Sequence, residues 1–412
     1  MSAKIPIDPA VVERHVMELA QYGAHGETGV WRTVYSPEWD AAQDRVAAWC
    51  EESGLQVRRD AVGNVWGRLE GGEGGKAIVS GSHIDSQRPG GRYDGALGVI
   101  AALLAVRALK ERFGAPRRTL EVVSLCEEEG SRFPTTNFWG SRAITGRIAP
   151  EVPDELRSYE GETMSEVMRS IGLDPARIPE ARRDDIEAFV ELHIEQGPIL
   201  EQEGLPVGIV DSFPAFRHYL VEVVGRSDHA GAMPMDLRRD PMPGAAEMIS
   251  RAIETTTRMG RPAVTTVGRV LVDPNFPAIV PEQVSFTIDA RHPDPATLAR
   301  LCAEHEATVE SVANRRGLRV NWRITQEHPA SPADAELVRV FAAAAREQGI
   351  PARTMPSGAV HDSQRMAQIA RIAMIFVQSK DGRSHTPAEY TAPEHAAAGI
   401  KVLAAGLHKL AY

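Results

Sequence analysis

Histidines and carboxylates gather in five short strings of this chain, each just past an apolar run or at the start of one. They are Gly81-Ser82-His83-Ile84-Asp85, Gly91-Arg92-Tyr93-Asp94-Gly95, Glu127-Glu128-Glu129-Gly130, Glu191-Leu192-His193-Ile194-Glu195-Gln196-Gly197 and Gly382-Arg383-Ser384-His385. Taken singly, each has an ordinary explanation. A histidine at a strand end is commonly a hydrogen-bonded structural residue, and a run of glutamates is commonly a solvated charge run. Glu127–Glu129, however, follow directly on the apolar Leu120–Cys126. Three neighbouring carboxylates repel one another, and burying their near ends is costly unless cations compensate. Histidines and carboxylates at the strand ends of one sheet supply that compensation by binding metal. Such nitrogen and oxygen donors suit zinc, manganese or cobalt better than calcium or magnesium alone.

The elements that must position these strings alternate in the first half of the chain. Ala77–Ser80 reads as a strand, Gly95–Phe113 as a helix with helically spaced apolar residues, and Leu120–Cys126 and Ala188–Ile194 as strands. That order predicts an α/β fold with a mixed, mostly parallel sheet flanked by helices. In such sheets working residues sit past the carboxyl ends of strands. From Ser212 the pattern changes. Tyr219–Val224, Val284–Asp289 and Leu318–Ile324 alternate apolar with polar, and helices are predicted at 245–256 and 295–315. The α/β pattern resumes with helices over 332–348 and 362–370 and a strand over 372–377. The expectation is therefore two domains: a discontinuous one, 1–211 with 329–412, and an inserted α+β domain, 212–328.

Composition narrows the function classes. Hydrophobic residues make up 43% and charged residues 25%, the profile of a globular protein with a sizeable core. With 46 basic against 56 acidic residues the net charge is −10, which disfavours nucleic acid and anionic membranes as partners. No apolar run is long enough to span a bilayer, and the start of the chain has no signal-peptide pattern. Cys50, Cys126 and Cys302 are too far apart for a CxxC site and read as reduced thiols of a cytoplasmic protein.

The strings GSHIDS, GGRYDGALGV, EEEGSRFPTTNFWGSRAITG, AFVELHIEQGPILE, HAGAMPM, FTIDARH, SGAVHDSQ and MIFVQSKDGRSHTPAE together resemble the amidase/hydantoinase/carbamoylase branch of the dinuclear metallopeptidase superfamily. Allantoate amidohydrolases and N-carbamoyl-L-amino acid hydrolases are the nearest members. The resemblance runs from about residue 60 to 395. It implies a zinc-exopeptidase-like catalytic domain with an inserted dimerisation or lid domain. It also implies two divalent ions per chain (zinc, manganese or cobalt), a small anionic ureido substrate and a homodimer. Asp94 would bridge the ions. His83 and His193 would complete one ligand set each, with Glu129 and His385 as the remaining ligands. Glu128 would be the general base acting on metal-activated water, and Asp85 would orient His83 through its other ring nitrogen.

The resemblance carries the substrate side over as well. His229, in Ser227-Asp228-His229-Ala230-Gly231, would stabilise the oxyanion. Arg291 would hold a substrate carboxylate with its planar fork. Gln196, Asn275 and Gly358 would line the substrate, and His361 and Asp362 stand close by in sequence. An Asp362 that caps a helix is an equal reading. Three positions depart from the family pattern: Ala278 stands where a substrate-binding Asn is usual, Phe216 where Gln is usual, and Val360 where Gly is usual. All three lie on the substrate side, so the chemistry is expected to be intact and the specificity shifted toward something less polar or differently shaped. The competing readings are an N-acyl-amino acid deacylase or dipeptidase of the same fold, and an inactive metal-binding scaffold. The scaffold reading requires the loss of a ligand or of Glu128, and all six residues are present.

Overall fold

Strands that are apolar on both faces have to be covered on both, and four such strands build the centre of the fold. In this computed structural model, which describes residues 4–412, they run parallel in the order Arg371–Val377, Ile186–Ile194, Ala77–His83, Leu120–Leu125. Every residue of Ala77–His83 and Leu120–Leu125 is buried. The neighbours on either side are antiparallel: Val207–Phe213 pairs with Arg371–Val377, while Val65–Leu69 and then Gln56–Arg59 extend the other edge. The result is a nine-stranded mixed sheet with a parallel centre.

The helix Ala96–Phe113 shows how closely this sheet is covered. Its residues Ala96–Val106 are all buried, the behaviour of a helix that is apolar all round. A Cβ on Gly98 would lie 2.3 Å from the Leu192 carbonyl oxygen and 2.6 Å from Ser82 Cβ. The helix therefore sits directly on the two strands that carry His83 and His193 near their ends. Pro393–Ala411, Pro9–Leu19 and Ala335–Gln348 complete the packing around it. Pro9–Leu19 and Pro37–Glu52, which the periodicity did not single out, each open on a capping side chain, Asp8 or Ser36, followed by proline at the first helical position.

The chain divides into two compact units: one formed by the residues up to Asp211 together with Pro332–Tyr412, the other by Ser212–Ser331. The second unit is a five-stranded antiparallel sheet. Ala215–Val224 lies between Gln283–His292 and Arg319–His328, and Val264–Thr266 and Val270–Asp273 both pair with Gln283–His292. Burial alternates strictly along Gln283–His292. The buried face, with Tyr219, Val221, Val223, Val284, Phe286 and Ile288, packs against the helices Pro241–Met259 and Pro295–Arg316. No described helix is long and apolar enough to cross a membrane.

Candidate metal centre and its surroundings

Parallel pairing brings the two buried histidines together. Ser80 is in register with Val190, and three residues further along each strand come His83 and His193. Their ring centroids are 6.1 Å apart. Asp94 enters from the loop before the Ala96–Phe113 helix. One carboxylate oxygen, Oδ1, is 3.1 Å from His193 Nε2 and 3.9 Å from His83 Nε2. The other, Oδ2, is 3.2 Å from His385 Nε2. Glu129 Oε2 lies 3.5 Å from the same His385 nitrogen. Beside a third group, Glu191–His193–His361, two groups of possible metal-holding atoms result, His83–Asp94–His193 and Asp94–Glu129–His385, each with its atoms within 4.8 Å of one another. Asp94 belongs to both. The division differs from the expectation that His83 and His193 serve separate ions. They fall in one group because they end adjacent, in-register strands, while Glu129 and His385 arrive on loops.

The donor chemistry fits divalent ions. Among the described residues, only imidazoles form ion pairs with Asp94, Glu128 and Glu129. His83, His193, Asp94 and Glu129 are all buried, so the site gathers carboxylates with no Lys or Arg to match them. Titration reflects the crowding. Burial pushes Glu129 up to about 7, with Asp94 adding to the rise. Burial also raises Glu128 well above the carboxylate range, against the pull of His83. Burial alone would lower His385, yet Asp94 and Glu129 hold it up to about 9.

The Glu128–Glu129 segment is fixed by Asp85. The Asp85 carboxylate accepts the backbone N–H of Glu128 at 3.2 Å and of Glu129 at 3.1 Å. It stands 3.6 Å from His83 Nδ1, but that nitrogen's nearer partner is the Asp85 backbone carbonyl, at 3.1 Å. Asp85 thus sets the carboxylates of the next loop at least as much as it orients His83. Glu128 Oε2 is 3.8 Å from His83 Nε2, at the edge of the first group. Gly95 permits the crowding: its φ is +63°, and a Cβ there would fall 2.4 Å from the His83 ring.

Gln196 turns toward the shared aspartate. Its amide Nε2 donates to Asp94 Oδ2 at 3.0 Å and lies 3.2 Å from Ser384 Oγ. Its Oε1 is buried without a hydrogen-bond partner. Gly358 has open space on its Cβ side. The loop around it ties Ser357 Oγ to His361 Nε2 at 3.1 Å, and the His361 ring meets His193 edge-on at 4.6 Å. Asp362 does not cap its helix; its carboxylate accepts the Ser141 hydroxyl at 2.5 Å. Three contributors escaped the sequence reading. Gln87 donates to Glu129 Oε2 at 2.6 Å. Glu191 accepts the hydroxyls of Ser82 and Ser363, each at 2.7 Å. Arg32 is buried and spends its guanidinium on the carbonyls of Ile84, Leu19 and Tyr22. Gln87 borders one of the strings already singled out and Glu191 opens another, whereas nothing in the sequence marks Arg32.

His229, Asn275 and Arg291 belong to the second unit. The His229 Nδ1 accepts the backbone N–H groups of Gly231 and Ala232, at 3.0 and 3.1 Å. That nitrogen is therefore unprotonated, and the ring presents Nε2–H as a donor. Asn275 takes a left-handed backbone, φ 56°, beside the loop whose Ala278 carbonyl accepts Ala230 N–H at 3.0 Å. Arg291 forks onto Asp289 at 2.8 to 3.2 Å and lies 5.7 Å above the Phe216 ring.

A mixed sheet flanked by helices, with histidines and carboxylates at its strand ends and one aspartate common to two donor groups, is the architecture of a dinuclear metallohydrolase. The profile of peptidase family M20/M25/M40 matches residues 79–409, and the chain belongs to that family. It is similar to the allantoate amidohydrolase of Bacillus subtilis (strain 168), 40% identical with 96% of each chain covered. It is also similar to the N-carbamoyl-L-amino acid amidohydrolase of Geobacillus stearothermophilus, 39% identical with 95% of each covered. Among solved structures, an amidase of the hydantoinase/carbamoylase family from Burkholderia multivorans superposes with a TM-score of 0.92 at 34% identity, covering 99% of this chain and 98% of that one.

Coordination needs the neutral imidazole and the ionised carboxylate. With His385 held up to about 9 and Glu129 to about 7, the metal-free site carries protons at pH 7 that a cation must displace. Zinc binding at pH 7 should therefore release at least one proton per chain, and affinity should rise with pH up to about 9. Calorimetry in buffers of differing ionisation enthalpy measures the release. A binding enthalpy independent of buffer would contradict it.

Proposed function

We propose that this chain is a metal-dependent amidohydrolase that cleaves the ureido or carbamoyl C–N bond of a small anionic substrate. Two donor groups that share Asp94, with Glu128 beside them, carry this reading. Relatives that cover nearly the whole chain and are named allantoate amidohydrolase and N-carbamoyl-L-amino acid amidohydrolase support it. The proposed ligands are His83, Asp94 and His193 for one ion and Asp94, Glu129 and His385 for the other. Zinc, manganese or cobalt at these positions would polarise the ureido carbonyl and lower the pKa of water toward neutrality.

The chain's own residues do the rest. Glu128, its proton affinity raised by burial, takes the proton from the attacking water and passes it to the leaving nitrogen. Asp85 keeps Glu128 and Glu129 in place through their backbone N–H groups. His229 offers Nε2–H to the oxygen that becomes negative as water adds. Arg291, held by Asp289 through Nε and Nη2, offers its remaining N–H donors to a substrate carboxylate. Phe216 beneath Arg291 supplies an apolar wall next to that carboxylate. This favours an N-carbamoyl amino acid with an apolar side chain over allantoate, whose second ureido group needs polar partners. Asn275 and Gly358 complete the proposed substrate lining. The protein is proposed to work as a cytoplasmic homodimer joined through the second unit. Exposed Val264, Val270 and Leu271 on its outer strands and three buried, free cysteines support this.

An ammonia-release assay with added manganese or zinc tests the reaction against allantoate, ureidoglycolate and N-carbamoyl amino acids. The expected result is ammonia release with the highest kcat/KM on an apolar N-carbamoyl-L-amino acid. Hydrolysis of N-acyl amino acids or dipeptides alone, without ammonia, would assign the deacylase or peptidase reaction instead. In the same assay Glu128→Gln should lower turnover by about two to four decades with metal content unchanged. Near-normal turnover with the metals bound would remove Glu128 from the base role.

Arg291 and His229 should separate kinetically. An arginine that holds the substrate throughout the reaction shows mainly in KM, and leaving a carboxylate unpaired costs about 2–5 kcal/mol. Arg291→Ala should accordingly raise KM at least about tenfold. Removing an oxyanion donor lowers turnover by about two to three decades, the expectation for His229→Ala. A His229→Ala variant altered only in KM, or a kinetically silent Arg291→Ala, would contradict these assignments.

A further inference from the structure

Behind Asp94 stands a second buried carboxylate that the proposed reaction does not use. Glu389 is 4% exposed. Its Oε1 accepts two successive backbone N–H groups, those of Tyr93 and Asp94, both at 2.9 Å. Its Oε2 lies 3.0 Å from the Ser384 hydroxyl. The fit is tight: a Cβ on Gly91 would fall 2.3 Å from Oε1, so only glycine lets the carboxylate in.

The Ser384 hydroxyl also lies 2.9 Å from Asp94 Oδ2. A serine has one O–H proton to give, so Ser384 can donate to Asp94 or to Glu389 but not to both. Asp94 Oδ2 is already crowded, with Gln196 Nε2 at 3.0 Å and His385 Nε2 at 3.2 Å. A cation that takes a lone pair of Oδ2 competes with every donor placed there. Glu389 Oε2 offers the hydroxyl another acceptor.

We propose that Glu389 is a positioning residue for Asp94. It grips the backbone that carries Asp94, and it accepts the Ser384 proton so that Asp94 Oδ2 is free for a metal ion. The inference rests on the reading of Asp94 as the shared metal ligand. Its distinctive consequence concerns Glu389→Gln. With Oε1 committed to two N–H donors, the substituted amide must point its NH2 group at Ser384 Oγ. The hydroxyl is then forced to donate to Asp94 Oδ2 in every state. The variant keeps the backbone grip but loses the alternative acceptor.

Zinc titration of the full chain against a chromophoric chelator tests this without reference to turnover. Glu389→Gln should weaken zinc binding about ten- to a hundredfold, the usual size of a defect behind a ligand. Ser384→Ala alone should bind zinc at least as well as the unaltered protein, because no hydroxyl then occupies Oδ2. Adding Ser384→Ala to Glu389→Gln should restore most of the lost affinity, which a general structural defect would not do. Unchanged affinity in Glu389→Gln, the same loss in the double variant, or weaker binding by Ser384→Ala overturns the proposal. Ser384→Ala keeps the proposal testable should Glu389→Gln fail to fold. Failure of the unaltered protein to bind zinc would overturn the metal reading together with this one, whereas normal binding by both the unaltered protein and Glu389→Gln overturns the positioning role alone.

Discussion

One carboxylate with imidazoles on both of its oxygens can serve two cations at once, and the catalytic unit is arranged around Asp94 in that position. Oδ1 faces His193 and His83, while Oδ2 faces His385. Burial alone would raise this carboxyl's pKa, yet its hydrogen bonds to His193 and His385 hold it well below the ordinary carboxylate range. Asp94 therefore stays ionised while its neighbours Glu128 and Glu129 are pushed the other way. A charge held in so dry a place needs its counter-charges close and fixed. His193 and His385 provide them, while the Gln196 amide donates to Oδ2 and Glu389 holds the backbone N–H.

The sheet fixes the counter-charges. Parallel strands in register end at one level, so residues at equivalent positions on neighbouring strands become neighbours in the site. His83 and His193 meet this way, and the buried helix Ala96–Phe113 locks both strands from one side while its leading loop delivers Asp94. Asp85 then carries the constraint to the next loop, where its two oxygens hold Glu128 and Glu129 by their N–H groups. The second unit follows another rule. Its antiparallel sheet has one buried and one open face, and the open face carries Asp289 with Arg291 and His218 beside it. Asp289 already holds the Arg291 guanidinium in one orientation, so the proposed substrate contact would need less ordering.

Much of this was legible in the sequence because it depends on local pattern. The continuous apolar runs before His83, Glu127 and His193 announce strands of a covered sheet, and the polar strings that follow mark their carboxyl ends. Alternation gave away the second unit for the same reason. Partner assignments were harder to read. The pairing of His83 with His193 in one group depends on which strands are adjacent, a property of topology and not of spacing. Gln196 stands in a recognised string, but its turn toward Asp94 follows from a left-handed backbone, φ 57°, that the sequence does not specify. Glu389 lies in SHTPAE and Arg32 in an unremarked loop. Both act through backbone groups far away in the chain, which leaves no periodic trace.

The central claim is that Asp94 serves both ions, and metal stoichiometry of Asp94→Ala tests it most directly. The unaltered chain, loaded with zinc and freed of excess, should hold two ions, and the variant should retain neither with comparable affinity, because each donor group loses a member. A variant that keeps one tightly bound ion would contradict the account, since Asp94 would then belong to a single group.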